Sequence, residues 1–423
     1  MPGTGNTRTR LRVGGLLCVA LFATTAAPAV AQQTVTLKSA LSRTLSAEPT
    51  VQANQARQFG AGYGVAQAGR RLNPSIGVEA ENFAGSGAYR NGRSTEATVF
   101  FEQKVELGGK REARTGVAAS EATAVKARGV VALLDRLRDV ELAYADALFA
   151  DAQARVARER LSYARSIREE ISRRAEAGRE ASFSLTRADA QVALDQLAVE
   201  QADAAARITR STLGAFWKGS ASFRLDPGAF RSTASTSPEE GSNPEIALLA
   251  AEREAAAARL SLAIANASPD PAFRVGVRRL QDTRDTAVIA GISIPLQIFD
   301  NNSAAIAQAQ EQRRAAEFDS SALRMVVRRE AMRLHQEMQA AAREAARVRS
   351  NVIPTAEKAV GMIRDGLERG GFSYVELADA QRLLNDAKQL EITTLKKFHT
   401  DRAALARLTG RHARAFNLAG TSK

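Results

Sequence analysis

Two carboxylates beside a glycine pair are the residues of this sequence best placed to do chemistry. Glu376 and Asp379 follow Gly370-Gly371 and stand three residues apart, so a helix would carry them on one face, one turn from each other. Asp189 occupies the position of Asp379 in a second copy of the local sequence, where Thr186 replaces Glu376. Closely spaced carboxylates attract cations. The other interpretation of this pattern is an ordinary solvated helix surface.

The sequence offers little for catalysis or for a bound metal. None of its three histidines, His335, His399 and His412, has a partner at i+3 or i+4 suited to holding a metal. No Ser/His/Asp set, phosphate-binding glycine loop or inward Glu-x-x-His pair is present. We therefore expect a protein that is not an enzyme and that needs no cofactor.

Residues 1–31 have the three-part pattern of a cleaved secretory signal peptide. Arginines precede an apolar core over residues 13–23, and Ala29-Val30-Ala31 supplies the small residues of a cleavage site. The core is roughly half the ~20 apolar residues of a membrane-spanning helix. Cys18, the single cysteine, would leave with the signal, so the mature chain is expected to have neither disulfides nor cysteine metal sites.

The formal net charge of +13 raises the question of nucleic-acid binding. The basic residues are interleaved with glutamate along helix-patterned segments, as in Arg158-Glu159-Arg160, and few aromatic residues lie between them. This pattern is typical of a solvated helical surface, so we expect no nucleic-acid partner.

The elements that must position the carboxylates occur twice, about 190 residues apart. Asn73-Pro74 opens a strand region in the first copy, and Asp270-Pro271 opens one in the second. Ala188-Asp189-Ala190-Gln191 then recurs as Ala378-Asp379-Ala380-Gln381. Landmarks in the same order at nearly one offset indicate an internal duplication.

Each copy contains a predicted β-hairpin, over residues 75–105 and 272–297. Apolar and polar residues alternate along strands of about 9–11 residues, a length that crosses a bilayer when tilted. On the last strand, Ile292 is expected near the middle of the strand and facing lipid. From the strands alone, a half-buried soluble hairpin remains an equal alternative.

Very long helical segments follow each hairpin. Residues 110–177 contain no proline, and an unbroken helix of that length would span about 100 Å. After a break near Gly178, apolar residues recur every seven positions, at Leu185, Val192, Val199, Ala206 and Leu213. A sustained seven-residue period predicts coiled-coil packing, here between antiparallel neighbours.

These patterns divide the chain into five parts. After the signal peptide come a first repeat over 32–218, a linker or small equatorial segment over 219–242, a second repeat over 243–415 and a tail over 416–423.

The chain resembles the TolC-like outer-membrane efflux proteins, and most closely their heavy-metal-efflux branch, the CzcC-like proteins. The resemblance covers essentially the whole mature chain. The motifs that carry it are the two strand-to-helix exits, Phe101-Glu102-Gln103-Lys104-Val105-Glu106-Leu107-Gly108-Gly109-Lys110-Arg111 and Ile294-Pro295-Leu296-Gln297-Ile298-Phe299-Asp300-Asn301, and the helix turn that begins at Gly370 and runs to Ala380.

The resemblance implies a fold that is mostly α with transmembrane β. Three subunits would each donate four strands to a twelve-stranded barrel in the outer membrane, continued by an antiparallel α-helical coiled-coil tunnel in the periplasm. It also implies two protein partners, a periplasmic adaptor and an inner-membrane pump of the RND type. A trimer also satisfies the backbone hydrogen bonds of the sheet. Four strands leave edges with unpaired N–H and C=O groups, which are not tolerated in lipid, whereas three copies can close a barrel.

By position, the resemblance assigns Glu376, Asp379 and Asp189 to a gate made of acidic rings at the periplasmic end of the tunnel. Gly178, Gly370 and Gly371 mark the helix turns where an adaptor would dock. The expected function is passive conduction of substrate to the cell exterior, with divalent heavy-metal cations favoured over drugs or secreted peptides as cargo. A soluble periplasmic coiled-coil chaperone or adaptor is the alternative, although it leaves the duplicated hairpins unexplained.

Overall fold

The computed structural model describes residues 33–234 and 243–418. The expected signal peptide, with Cys18, lies outside the described residues, as do residues 235–242 of the expected linker and residues 419–423 of the expected tail.

Helices make up most of the described chain. Their bounds are α1 (Leu37–Ala47), α2 (Pro49–Ala68), α3 (Lys110–Glu176), α4 (Ser182–Ala215), α5 (Pro227–Arg231), α6 (Pro244–Asn266), α7 (Ser303–Arg347), α8 (Ile353–Glu368), α9 (Tyr374–Leu408) and α10 (Arg411–Ala415). Within residues 33–234 and 243–418, no helix is both long enough and apolar enough to cross a membrane.

The long helices follow the expected plan in both halves. α3 runs unbroken for 67 residues. Its counterpart in the second half is α7 followed by α8, joined by a π-helical turn at Val348–Val352. Pro354 lies in the first turn of α8, where the missing N–H of proline removes a helical hydrogen bond. Pro354 therefore coincides with a local π turn within a continuous rod.

Antiparallel helix pairs bury the predicted apolar stripes. α3 packs against α2, α4, α6 and α9, while α9 also packs against α7 and α8. On α4, the last three residues of the seven-residue stripe, Val199, Ala206 and Leu213, are buried. Because each helix buries only one narrow face, the core is a series of separate clusters along the rod.

The equatorial segment is more structured than its lack of periodicity indicated. β1 (Thr34–Val35) pairs in parallel with β4 (Arg224–Leu225), and α5 follows directly. Phe230 of α5 is almost fully buried in the largest apolar cluster. In the expected tail, Phe416 and Leu418 pack against the same cluster.

The two hairpins join into one four-stranded antiparallel sheet. Its strands are β2 (Ser75–Glu81), β3 (Glu96–Lys104), β5 (Ala272–Leu280) and β6 (Thr286–Ser293), in that order. The strands contain 7, 9, 9 and 8 residues, so the expected length of 9–11 was too long for two of them. Pro295 follows the end of β6 and has no N–H to donate to a neighbour.

One face of this sheet is apolar and exposed. A row of paired residues crosses all four strands: Ile76, Phe101, Val275 and Ala290. Ile292 lies on this face in the next row toward the helices, but it is the residue before the end of β6. The expectation that Ile292 sits at mid-strand was therefore wrong, and Val275 lies closer to the middle of the sheet.

The duplication extends to the turns that lead from the sheet into the long helices. Gly109 precedes α3 and Asn302 precedes α7, and both have left-handed backbones with φ of 73° and 62°. Asp270 fastens the first turn, since its Oδ1 accepts a hydrogen bond from Leu107 N at 3.1 Å and lies 2.7 Å from Lys110 Nζ. The exit motif of the first half thus fixes the angle between strand and helix.

Candidate functional site at the helical tips

The two helical turns far from the sheet form one end of the molecule. Residues 177–181 connect α3 to α4, and residues 369–373 connect α8 to α9. Gly178 and Gly370 have φ of +66° and +81°, a left-handed conformation that favours glycine. Gly371 does not have a positive φ, so its place in the turn requires glycine less strictly than that of Gly370.

Contacts between the turns hold them side by side. Arg174, in the last turn of α3, donates from Nη2 to the carbonyl of Leu367 on α8 at 3.1 Å. Its guanidinium also lies 5.6 Å from the ring centre of Tyr374. Burial raises the pKa of the Tyr374 hydroxyl. The tips of both repeats therefore form a joint surface.

Glu376 has a structural role that sequence analysis missed. Its Oε2 accepts hydrogen bonds from the backbone N–H of Ser373 at 2.7 Å and from the Ser373 hydroxyl at 3.0 Å. Ser373 in turn caps the N–H of Glu376, which completes a capping box at the start of α9. These hydrogen bonds to the carboxylate lower the pKa of Glu376. The Ser-x-x-Glu spacing was the signal that could have revealed this role.

Asp379 and Asp189 differ in their surroundings although their local sequences are the same. Asp189, on α4, accepts a hydrogen bond from Arg168 Nε of α3 at 2.7 Å. That hydrogen bond raises the pKa of Arg168. Asp379 is exposed on the same face of α9 as Glu376. Within one subunit, Glu376 and Asp379 share one face of α9, while Asp189 lies on another helix and is paired with an arginine.

The three histidines are all engaged in contacts within the chain. His399 Nε2 donates to the carbonyl of Phe230 at 2.7 Å, and burial lowers the pKa of His399 to about 4. His412 Nε2 donates to Glu141 Oε2 at 3.0 Å, and His335 lies 2.7 Å from the Gln339 amide. Among residues 33–234 and 243–418, no group of three or more His, Cys, Asp or Glu side chains is arranged to hold a metal ion. That the protein has no bound metal stays a prediction.

Solved structures share this architecture over nearly the whole chain. The outer membrane protein VceC from Vibrio cholerae superimposes with a TM-score of 0.72 at 19% identity, over 88% of this chain and 96% of VceC. CusC superimposes with a TM-score of 0.72 at 13% identity, over 91% of this chain and 92% of CusC. The chain therefore has the fold of VceC and CusC.

The chain belongs to the family described as "Outer membrane efflux protein", whose sequence profile matches residues 40–217 and 239–411. It is 26% identical to the cobalt-zinc-cadmium resistance protein CzcC of Cupriavidus metallidurans, over 73% of this chain and 75% of CzcC. It is 27% identical to the nickel-cobalt-cadmium resistance protein NccC of Alcaligenes xylosoxydans xylosoxydans, over 66% of this chain and 64% of NccC. The resemblance drawn from the sequence is confirmed, and the soluble periplasmic alternative is excluded.

Proposed function

We propose that this protein is the outer-membrane channel of a tripartite efflux system and that its cargo is divalent heavy-metal cations. The cargo assignment is supported by the similarity to CzcC, NccC and the nickel and cobalt resistance protein CnrC. These alignments cover 73%, 66% and 67% of this chain. A pump of the RND type in the inner membrane supplies the energy, and a periplasmic adaptor connects the pump to the channel.

The working unit is a homotrimer. In the single chain, β2 and β6 are the edge strands of the four-stranded sheet. Unpaired backbone groups at such edges are not tolerated in lipid, so β6 of one subunit pairs with β2 of the next. Three copies then close a twelve-stranded barrel, and their helices continue as a tunnel in the periplasm.

The tips are the gate and the docking surface of this tunnel. Threefold symmetry would set Glu376 and Asp379 in stacked acidic rings, which attract cations entering from the pump. Asp189 is the weaker member of the gate, since Arg168 already pairs with it. The adaptor docks on the turns at Gly178 and at Gly370-Gly371, which are exposed.

Neutralising the acidic rings is expected to reduce cation selectivity and divalent block of single-channel current. The variant Glu376→Gln with Asp379→Asn removes six carboxylates from the trimer, while glutamine can still accept the hydrogen bonds of the Ser373 cap. Recordings in planar bilayers measure both properties. The matched control is Asp189→Asn, which is expected to change them less. Selectivity and block equal to those of the unmodified channel would show that Glu376 and Asp379 point away from the pore.

Loss of the protein is expected to sensitise cells to divalent metals more than to lipophilic dyes. The measurement compares growth of a deletion strain and its parent on zinc, cobalt, cadmium and a panel of dyes. A plasmid copy of the gene is the control and should restore growth. Sensitivity confined to the dyes would assign the channel to drug efflux instead.

A further inference from the structure

The face of the sheet opposite the apolar band is charged. Because the apolar face meets lipid, this second face lines the lumen of the barrel. It carries four glutamates, two arginines and one lysine per subunit: Glu79, Glu81, Glu96, Glu102, Arg274, Arg278 and Lys104.

Each arginine lies between two of the glutamates. Arg274 Nη1 is 3.3 Å from Glu79 Oε2, and Arg274 Nη2 is 3.2 Å from Glu102 Oε2. The Arg274 guanidinium also lies 3.8 Å from the ring centre of Phe100. The Phe100 ring lies flat along the sheet over Gly77, where an added Cβ would come within 2.3 Å of it. Arg274 is therefore held against the wall of the lumen.

The second arginine bridges a pair of like charges. Glu81 and Glu96 stand directly opposite each other on β2 and β3, an arrangement that is unfavourable unless a cation joins them. Arg278 supplies that cation, with Nη2 at 2.7 Å from Glu81 Oε2 and Nη1 at 2.6 Å from Glu96 Oε2. Arg278 Nε also donates to Thr98 Oγ1 at 3.0 Å, which fixes the side chain.

Four carboxylates against three cations leave one negative charge in excess per subunit, and Lys104 lies at the helical end of the sheet, opposite Ala272. The side chains of Glu79 and Glu81 on β2 are 47% and 43% exposed, against 33% and 24% for Glu102 and Glu96 on β3. The strand that would adjoin β2 from the next subunit is β6. On its lumen face β6 carries only uncharged residues: Ala287, Ile289, Gly291 and Ser293. The neighbouring subunit therefore brings no cation to Glu79 or Glu81.

We propose that Glu79 and Glu81 make the barrel itself selective for small hydrated cations, as a second charge filter far from the tips. The inference rests on the proposed trimeric channel. A surplus of three negative charges per trimer would face one lumen, where nearby charge is weakly screened because the Debye length is about 10 Å at 0.1 M salt. Neutralising these two residues leaves each arginine paired with one glutamate of β3.

The test is the reversal potential of the purified trimer in a KCl gradient across a planar bilayer. The channels tested also carry Glu376→Gln and Asp379→Asn, so that the ion selectivity of the tips does not mask the ion selectivity of the barrel. In 0.1 M salt, Glu79→Gln with Glu81→Gln is expected to lower the K⁺ to Cl⁻ permeability ratio at least about twofold. The control of opposite sign is Arg274→Gln with Arg278→Gln. It removes positive charge from the same face and is expected to raise the K⁺ to Cl⁻ permeability ratio.

A ratio that is unchanged or higher in the Glu79→Gln, Glu81→Gln channel would overturn the proposal. All variants are first checked for detergent-resistant trimers on gels, and single variants replace any double variant that does not assemble. Since the readout needs no heavy metal, it is independent of the cargo. A deletion strain with normal metal tolerance would refute the cargo while leaving the charge filter standing.

Discussion

Glu141→Ala is expected to lower the free energy of unfolding by about 3–5 kcal/mol, the largest effect expected of any single substitution here. Glu141 lies on α3 and is only 3% exposed. Its carboxylate accepts a hydrogen bond from His412 of α10 and lies 3.6 Å from Arg402 Nε of α9. Burial lowers the pKa of Arg402. Removing the carboxylate would leave the partly buried Arg402 without its counter-charge and would loosen the end of the second repeat from the first.

The measurement is urea unfolding of the solubilised protein, followed by circular dichroism. Glu141→Gln is the matched variant, because the amide oxygen still accepts a hydrogen bond while the charge is lost, and it should cost less than alanine. Glu169→Ala removes an exposed carboxylate from the same helix and should change stability little. Equal stability of Glu141→Ala and Glu169→Ala would show that the buried contact does not join the repeats.

Val275→Arg is expected to destabilise the assembled barrel by roughly 2–4 kcal/mol, the cost of an arginine facing lipid near the midplane. Val275 is 52% exposed in the single chain and stands opposite Phe101 and Ala290 on the apolar face. Ile292→Arg should cost less, since Ile292 lies nearer the helical end of the sheet, where the cost of a charge falls toward the membrane interface.

Heat stability of detergent-resistant trimers on gels provides the measurement. Ile289→Arg is a matched control for Ile292→Arg, because both replace isoleucine on β6 but Ile289 belongs to the lumen face. Trimers of Val275→Arg as stable as the unmodified ones would contradict the assignment of this face to lipid.

Periodicity was enough to predict the long helices and both hairpins. The structure buries three of the five residues in the seven-residue stripe on α4, and alternation along β5 marks the two faces of the sheet. The capping box of Ser373 and Glu376 was also readable from its spacing. Neither the gate nor the solvated-surface interpretation of Glu376 takes account of a hydrogen bond to its own helix N-terminus.

Contacts between residues far apart in the chain were beyond the reach of sequence patterns. The lumen charges come together only through the pairing of β3 with β5, which places Glu102 opposite Arg274. The hydrogen bond from His399 to Phe230 depends on how a short segment without periodicity folds over α9. The pairing of Asp189 with Arg168 likewise depends on the relative rotation of two antiparallel helices. Local spacing carries no information on any of these registers.

The claim that the protein is an outer-membrane channel for heavy-metal cations is tested most directly by metal tolerance of a deletion strain complemented with defined variants. The account predicts that the unmodified gene restores growth on zinc, cobalt and cadmium, and that the Val275→Arg gene does so less well because fewer barrels assemble. Growth of the uncomplemented deletion strain on all three metals at the level of its parent would contradict the account.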